Sequence, residues 1–382
     1  MKNMRQIERS EVLHVGLEST GAEVRFPYHI DDQFSGVLRI TYPFTLDEES
    51  AGLLPSIGVG VAAFLAQLCL TRRLVVDFPC SQEMVEGMLP IVEMLYDIRC
   101  WRDQLELMPL PEVVLTESDY LPRTFVTDGS KCACLLWSGG KDSTLSSILL
   151  AKNGFEVHPI HFSVNEGVEE AESSAVARLA QALGIAYQTV EYDFPQYADV
   201  AKQYAILWDI FPDYNIVPFG RDLILALLAT PIARRHGDTY LCLGHEHGSR
   251  TNYFDYLGKR ISRDDVESIR GGQLLERYIQ KFISPTIEFL PPVAGLPEFR
   301  ILCELFTNYP EVLPHISFCF WGTWCGRCSK CLRYYLVQRA LGKEGLLHFQ
   351  TNPLEGDNCP DLHHCIEDWH EEDWRSYTDT VL

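Results

Sequence analysis

The chain has 382 residues, a formal net charge of −21, 13 cysteines and 46% hydrophobic residues. That length suits two domains at roughly 100–200 residues each, and the composition is that of a soluble globular protein. The negative charge opposes broad contact with nucleic-acid backbones, which require basic surface, although it is compatible with one local basic pocket.

The first nine residues contain charged side chains and no apolar signal core. Residues 35–44 suit a strand that ends at Pro43. Residues 48–70 contain a largely apolar helix, expected to be buried on most sides. Its most apolar part, residues 58–70, falls short of the ~20 residues that span a bilayer. These features predict a cytoplasmic protein with no membrane partner. In that compartment the cysteines are expected as metal ligands and buried thiols, not disulfides. Residues 74–78 form a second strand. Ser81 is placed to cap a helix with Met84, Met88, Val92 and Leu95 on one face, and Pro90 predicts a kink or break in it. Residues 1–128 form a first domain without a chemical motif. Residues 116–130, polar and containing Pro122 and Asp128-Gly129, read as a linker.

From residue 131 onward, strands and helices alternate. Strands are expected at 132–137, 157–163, 186–192 and 239–244, and helices at 144–152, 169–183 and 219–236. This order argues for parallel strands with helices on both faces and ligands at the carboxyl ends of the strands. Between the first strand and its helix lies Ser138-Gly139-Gly140-Lys141-Asp142-Ser143. Adjacent glycines allow a sharp turn and close approach to an anion. The helix N-terminus adds free amides and a partial positive charge. Ser138 and Ser143 supply hydroxyl donors and Lys141 a point charge, so the six residues predict a phosphate cradle. The glycine spacing fits neither G-x-x-x-x-G-K-[ST] nor G-x-G-x-x-G.

Downstream, Cys319, Cys325, Cys328 and Cys331 have the spacing of a tetrahedral sulfur cage. Zinc fits best, with an iron–sulfur cluster as the rival. Cys69, Cys132, Cys134, Cys242 and Cys303 sit in apolar runs and read as core. Cys359 and Cys365, with His363 and His364, match no metal pattern. The tail, residues 351–382, is acidic and carries Trp369 and Trp374.

The order of SGGKDS, Val217-Pro218-Phe219-Gly220-Arg221-Asp222, Leu243-Gly244 and the cysteines followed by Leu332-Arg333 resembles QueC, the 7-cyano-7-deazaguanine synthase family of PP-loop ATP pyrophosphatases. The resemblance spans about residues 131–345. It implies an α/β fold of the adenine-nucleotide α-hydrolase type: a Rossmann-like parallel sheet with a C-terminal four-cysteine zinc site, here over 129–350, plus an extra α+β domain at 1–128. It implies ATP, Mg2+ and Zn2+ as cofactors and 7-carboxy-7-deazaguanine as the carboxylate that is adenylated before an amine displaces AMP. Ser138, Gly139, Gly140, Lys141, Asp142 and Ser143 would hold the phosphates, Asp142 partly through Mg2+. Arg221 would lie near the nucleotide, and Cys319, Cys325, Cys328 and Cys331 would bind zinc. Lys141, Asp142 and Arg221 would carry the catalysis.

The sequence also departs from that family. Phe219 is an extra residue, and Asp222 stands where the family has Asn. The family's Lys-containing stretch is replaced by Leu296-Pro297-Glu298-Phe299-Arg300, which leaves Arg300 as a second phosphate contact. Gly244-His245-Glu246-His247-Gly248-Ser249-Arg250 differs from the usual substrate side, where His245 and His247 are candidate contacts. Extended members of the family resemble proteins of bacterial antiphage operons. That likeness implies transfer to the N-terminal amine of a protein partner from the same operon, recruited by the N-terminal domain, in place of ammonia. A homodimer is also compatible. Two alternatives are another PP-loop enzyme, such as an epimerase that adenylates carboxylates or a tRNA-modifying enzyme, and a non-catalytic nucleotide-binding subunit.

Overall fold

The computed structural model describes residues 9–31, 34–102, 104–163, 168–193, 220–316, 324–354 and 375. In chain order the strands are β1 (Val12–Gly16), β2 (Glu18–Thr20), β3 (Glu23–Ile30), β4 (Phe34–Thr41), β5 (Arg73–Asp77), β6 (Glu112–Leu115) and β7 (Cys132–Leu136). They continue with β8 (Glu156–Ser163), β9 (Gln188–Tyr192), β10 (Tyr240–Cys242), β11 (Tyr253–Tyr256), β12 (Lys259–Ser262) and β13 (Glu288–Leu290). The contacts divide the chain into two units: residues 1–134, 189–241 and 251–289 form the first, and the remainder forms the second.

In the first unit, β3 alternates buried Val24, Phe26, Tyr28 and Ile30 with exposed residues, the period of a strand with one face on a core. It pairs antiparallel with β1 and β4, and β4 pairs antiparallel with β9. Beyond β1, β5 and β6 continue in parallel. Helix Leu54–Cys69 has all 16 of its residues buried. Glycines on this helix admit large neighbours. A Cβ on Gly60 would lie 2.1 Å from Leu227 Cδ1, so only hydrogen fits there. The 22-residue helical stretch Glu48–Cys69 is long and apolar enough to cross a membrane, longer than the sequence alone suggested. Because 94% of its apolar window is buried in the fold, it is a core helix.

Ser81 caps the next helix as expected, accepting the Met84 amide at 3.2 Å, and Met84, Met88, Val92 and Leu95 all face the core. Of the kink or break expected at Pro90, the break does not occur: Gln82–Arg102 is one helix. A proline inside a helix costs ~3 kcal/mol in isolation, but packing on both sides of Pro90 offsets the lost hydrogen bond.

The first unit does not end at residue 128. Tyr42 donates to the Leu228 carbonyl at 3.0 Å, and Ser56 donates to that of Phe282 at 3.0 Å. Tyr278 donates to the Ser56 carbonyl at 2.8 Å. Helices Arg221–His236 and Ile269–Phe282 therefore complete the core begun by the N-terminal strands. Residues 116–130 lack a regular helix or strand, as a linker should. Even so, they are pinned in this unit by bonds from the Phe125 amide to Ile283 (3.0 Å) and from the Thr127 amide to the Thr286 hydroxyl (2.8 Å).

The alternating half is α/β, with a mostly parallel sheet as expected. Within the first unit β10 lies beside β7, through Thr239 N to Cys132 O, and β13 beside β10, through Glu288 N to Thr239 O. Within the second unit β8 lies beside β7, through Trp137 N to Ile160 O at 2.8 Å. Helix Lys141–Lys152 makes the crossover between these two strands, the connection that parallel strands require. That crossover brings the glycine turn to the carboxyl end of β7.

Candidate functional site

The site lies in the second unit and grows from the turn after β7. Gly139 has φ +71°, a left-handed conformation that glycine adopts without strain. A Cβ there would also approach Val176 Cγ2 to 2.9 Å, so the turn is pressed onto helix Val168–Leu183. Gly140 is the N-cap, and the helix starts at Lys141, three residues earlier than periodicity suggested. Lys141, Asp142 and Ser143 thus form its first turn, where amides have no intrahelical acceptor. The Ser138 hydroxyl is 3.3 Å from the Gly140 amide and 3.3 Å from the Ser143 hydroxyl. Ser138 through Ser143 therefore form one continuous cradle.

Lys141 does not point freely into solvent. Its side chain is 5% exposed and its ammonium contacts three carboxylates: Asp142 at 2.7 Å, Glu246 at 2.9 Å and Glu298 at 3.9 Å. Burial alone would push the Lys141 pKa down, but the three acids overcome it and hold the ammonium protonated. Burial pushes the Glu246 carboxyl up to about 8, opposed by Lys141 and reinforced by Asp142 and Glu298. Burial also works against the Glu298 carboxylate, yet Arg333 at 2.6 Å and Lys141 keep its pKa below the usual range. Lys141, Arg333 and three acidic side chains thus share a largely dry pocket.

Sequence reasoning missed Glu246, Glu298 and Arg333 as members of this group. Gly244 explains how Glu246 reaches it, because a Cβ on Gly244 would lie 2.8 Å from the Ser143 amide nitrogen. The chain passes so close to the cradle that only glycine fits. The His247 amide then bonds the Leu296 carbonyl at 3.0 Å, joining the Glu246 stretch to the one that carries Glu298. Glu298 itself starts helix Glu298–Asn308, which packs against both the cradle helix and Ser329–Ala340.

The other expected residues fall as follows. Arg221 begins a helix of the first unit and pairs with Asp222 at 3.7 Å. Val217, Pro218 and Phe219 lie outside the described residues. Arg300 is exposed and lines an open groove of about 680 Å³ with Leu149, Cys303 and Arg375. The acid Glu298, and not the base Arg300, is the residue of that stretch beside Lys141. His245 is buried and His247 half-buried, flanking Glu246. Cys69, Cys134 and Cys242 are buried, whereas Cys132 and Cys303 are only half-buried.

Cys325, Cys328 and Cys331 come together in a buried cluster, with their sulfurs within 4.8 Å of one another. The Arg327 and Cys331 amides donate to Cys325 Sγ (3.3 Å) and Cys328 Sγ (3.4 Å), as amides do around thiolate ligands. Three convergent sulfurs of this kind can hold a metal ion. Cys319, Cys359, Cys365 and most of the acidic tail lie outside the described residues.

Residues 132–263 match the family model "Queuosine biosynthesis protein QueC". This segment of the chain, which contains the SGGKDS turn, is QueC-like. The chain is 27% identical over 213 residues to the 7-cyano-7-deazaguanine synthase of Aliarcobacter butzleri (strain RM4018), an alignment that covers 53% of this chain and 87% of the relative. It is 28% identical over 223 residues to that of Campylobacter curvus (strain 525.92), covering 55% and 94% respectively. Among solved structures, the U34-tRNA thiolase NcsA from Methanococcus maripaludis with its [4Fe-4S] cluster aligns at 18% identity with a TM-score of 0.30. That alignment covers 61% of this chain and 79% of the other.

Proposed function

We propose that this chain uses ATP to activate the carboxylate of 7-carboxy-7-deazaguanine and hands the acyl group to an amine. The observation that carries this reading is the SGGKDS cradle, with buried Lys141 on the first helical turn, inside the segment that matches the QueC model. A free carboxylate is a poor electrophile. Attack of its oxygen on the α-phosphorus of ATP expels pyrophosphate and leaves an acyl adenylate. An amine then displaces AMP, forming a C–N bond and releasing a proton.

Most of the work is electrostatic and positional. The cradle amides and the hydroxyls of Ser138 and Ser143 hold the departing pyrophosphate, and Lys141 faces the charge that gathers there. Asp142 is the loop's own oxygen donor and fits a hard cation such as Mg2+, which would supply Lewis-acid stabilisation of the phosphates. The carboxylates around Lys141 keep it protonated and fixed before ATP arrives. Zinc is the metal that suits the cysteines. Two sulfurs at about 2.3 Å from a tetrahedral ion are about 3.8 Å apart, and Cys325 Sγ and Cys331 Sγ are 3.9 Å apart. In this reading Cys319 closes the cage.

The acceptor amine is a protein N-terminus, recruited by the N-terminal residues that lie outside the QueC match, as in the antiphage members of the family. The test is exchange of labelled pyrophosphate into ATP, dependent on 7-carboxy-7-deazaguanine, followed by intact mass spectrometry of the product of a neighbouring gene. Exchange together with a mass gain on that protein is expected. Exchange with free nitrile and no mass gain would assign ammonia as the acceptor. Absence of exchange would refute the activation step.

A further inference from the structure

Helix Ser329–Ala340 begins at the sulfur cluster, with Cys328 as its N-cap. Its first turns carry Lys330, Arg333 and Tyr334, whose i, i+3, i+4 spacing places them on one face. That face meets the cradle. Arg333 is 2.6 Å from one oxygen of Glu298, whose other oxygen is 3.9 Å from the Lys141 ammonium. The side chains of Lys141, Glu298 and Arg333 are 5%, 5% and 13% exposed, so solvent screens these contacts little. Tyr334 is fully buried beside the same charges.

Without Arg333, Glu298 would be left with the Lys141 ammonium, 3.9 Å away, and the weaker influence of Lys330. The ammonium would be drawn toward that acid, and the cradle would gain one uncompensated negative charge. Both effects oppose a bound phosphate. Resting on the reading that this cradle binds ATP phosphates, we propose that Arg333 is a positioning residue for Lys141, acting through Glu298. The cysteine-capped helix is thereby part of the phosphate site, and the sulfur cage sets where Arg333 stands.

The test is calorimetric titration of the full, metal-loaded chain with Mg2+ and a non-hydrolysable ATP analogue, with metal content and thermal midpoint measured alongside. Arg333→Met should weaken binding by about tenfold or more at unchanged metal content. The double variant Glu298→Gln with Arg333→Met removes both partners, and should recover to within about threefold of the parent affinity. Arg333→Lys keeps the charge with poorer geometry. It should fall in between, and it carries the test if the methionine variant does not fold. Parent-like affinity in both Arg333 variants would overturn the proposal. So would a double variant no better than the single, or a reduced number of binding sites with unchanged affinity, either of which signals a purely structural role. No binding by the parent chain would instead overturn the cradle reading on which the proposal rests.

Discussion

Gly244→Ala tests the cradle at a point that makes no direct chemical contribution. The added Cβ would sit 2.8 Å from the Ser143 amide nitrogen and 3.0 Å from Asp142 Cβ and the Asp142 carbonyl carbon. Ordinary contact begins near 3.4 Å, so the cradle backbone and the Gly244 segment must separate by about 0.6 Å (3.4 − 2.8). Neither side yields easily, because the first is a helical turn and the second leads into the Glu246 contact with Lys141. Overpacking of this kind costs roughly 1–3 kcal/mol of stability. A displacement approaching 1 Å at a reacting centre costs about a hundredfold in rate. Half that displacement sets an expected loss of about tenfold in ATP affinity and more in pyrophosphate exchange. The assays are titration with the ATP analogue and carboxylate-dependent exchange, read against the thermal midpoint. Parent-like binding and exchange with an unchanged midpoint would show that the Gly244 contact does not constrain the cradle.

Three further outcomes are expected. Lys141→Ala should abolish pyrophosphate exchange and destabilise the chain by about 3 kcal/mol, because the acidic side chains around it lose their shared cation; retained exchange would remove Lys141 from the chemistry. Glu246 has a folded-state pKa raised from 4.5 to about 8, so its protonation favours the folded state at low pH. That contribution is lost as pH rises from about 4.5 through 8, and Glu246→Gln should flatten this decline in urea unfolding across the range; an unchanged slope would contradict the shift. Chelation of the metal-loaded chain should lower the thermal midpoint and re-addition of zinc should restore it; metal release without a change in midpoint would rule out a structural cage.

The sequence revealed the cradle because all its parts are local. A strand, two glycines and a helix start within a dozen residues need no knowledge of tertiary contacts. The cradle's partners were hidden by distance, since Glu246 is 105 residues from Lys141. The signal that marks them is departure: Glu246 and Glu298 both lie in stretches that differ from the family pattern. Arg300 was singled out for its charge, but two positions along a helix correspond to about 200° of rotation. That rotation turns Glu298 inward and Arg300 toward the groove. Pro90 did not break its helix for a related reason, since propensity cannot see the core packing that keeps Gln82–Arg102 continuous. The boundary at residue 128 followed composition, which does not register that later helices close the N-terminal core.

The buried helix Leu54–Cys69 has a consequence for how the chain is made. Its notch at Gly60 is filled by Leu227, and Ser56 meets Phe282 and Tyr278. On the ribosome the face of this helix that meets Leu227, Tyr278 and Phe282 emerges more than 150 residues before those partners. At about 5–20 residues per second that face stays uncovered for some ten seconds or longer. The nascent chain is thus exposed to aggregation until residue 282 has left the exit tunnel, and a fragment cut near residue 128 keeps that exposure permanently.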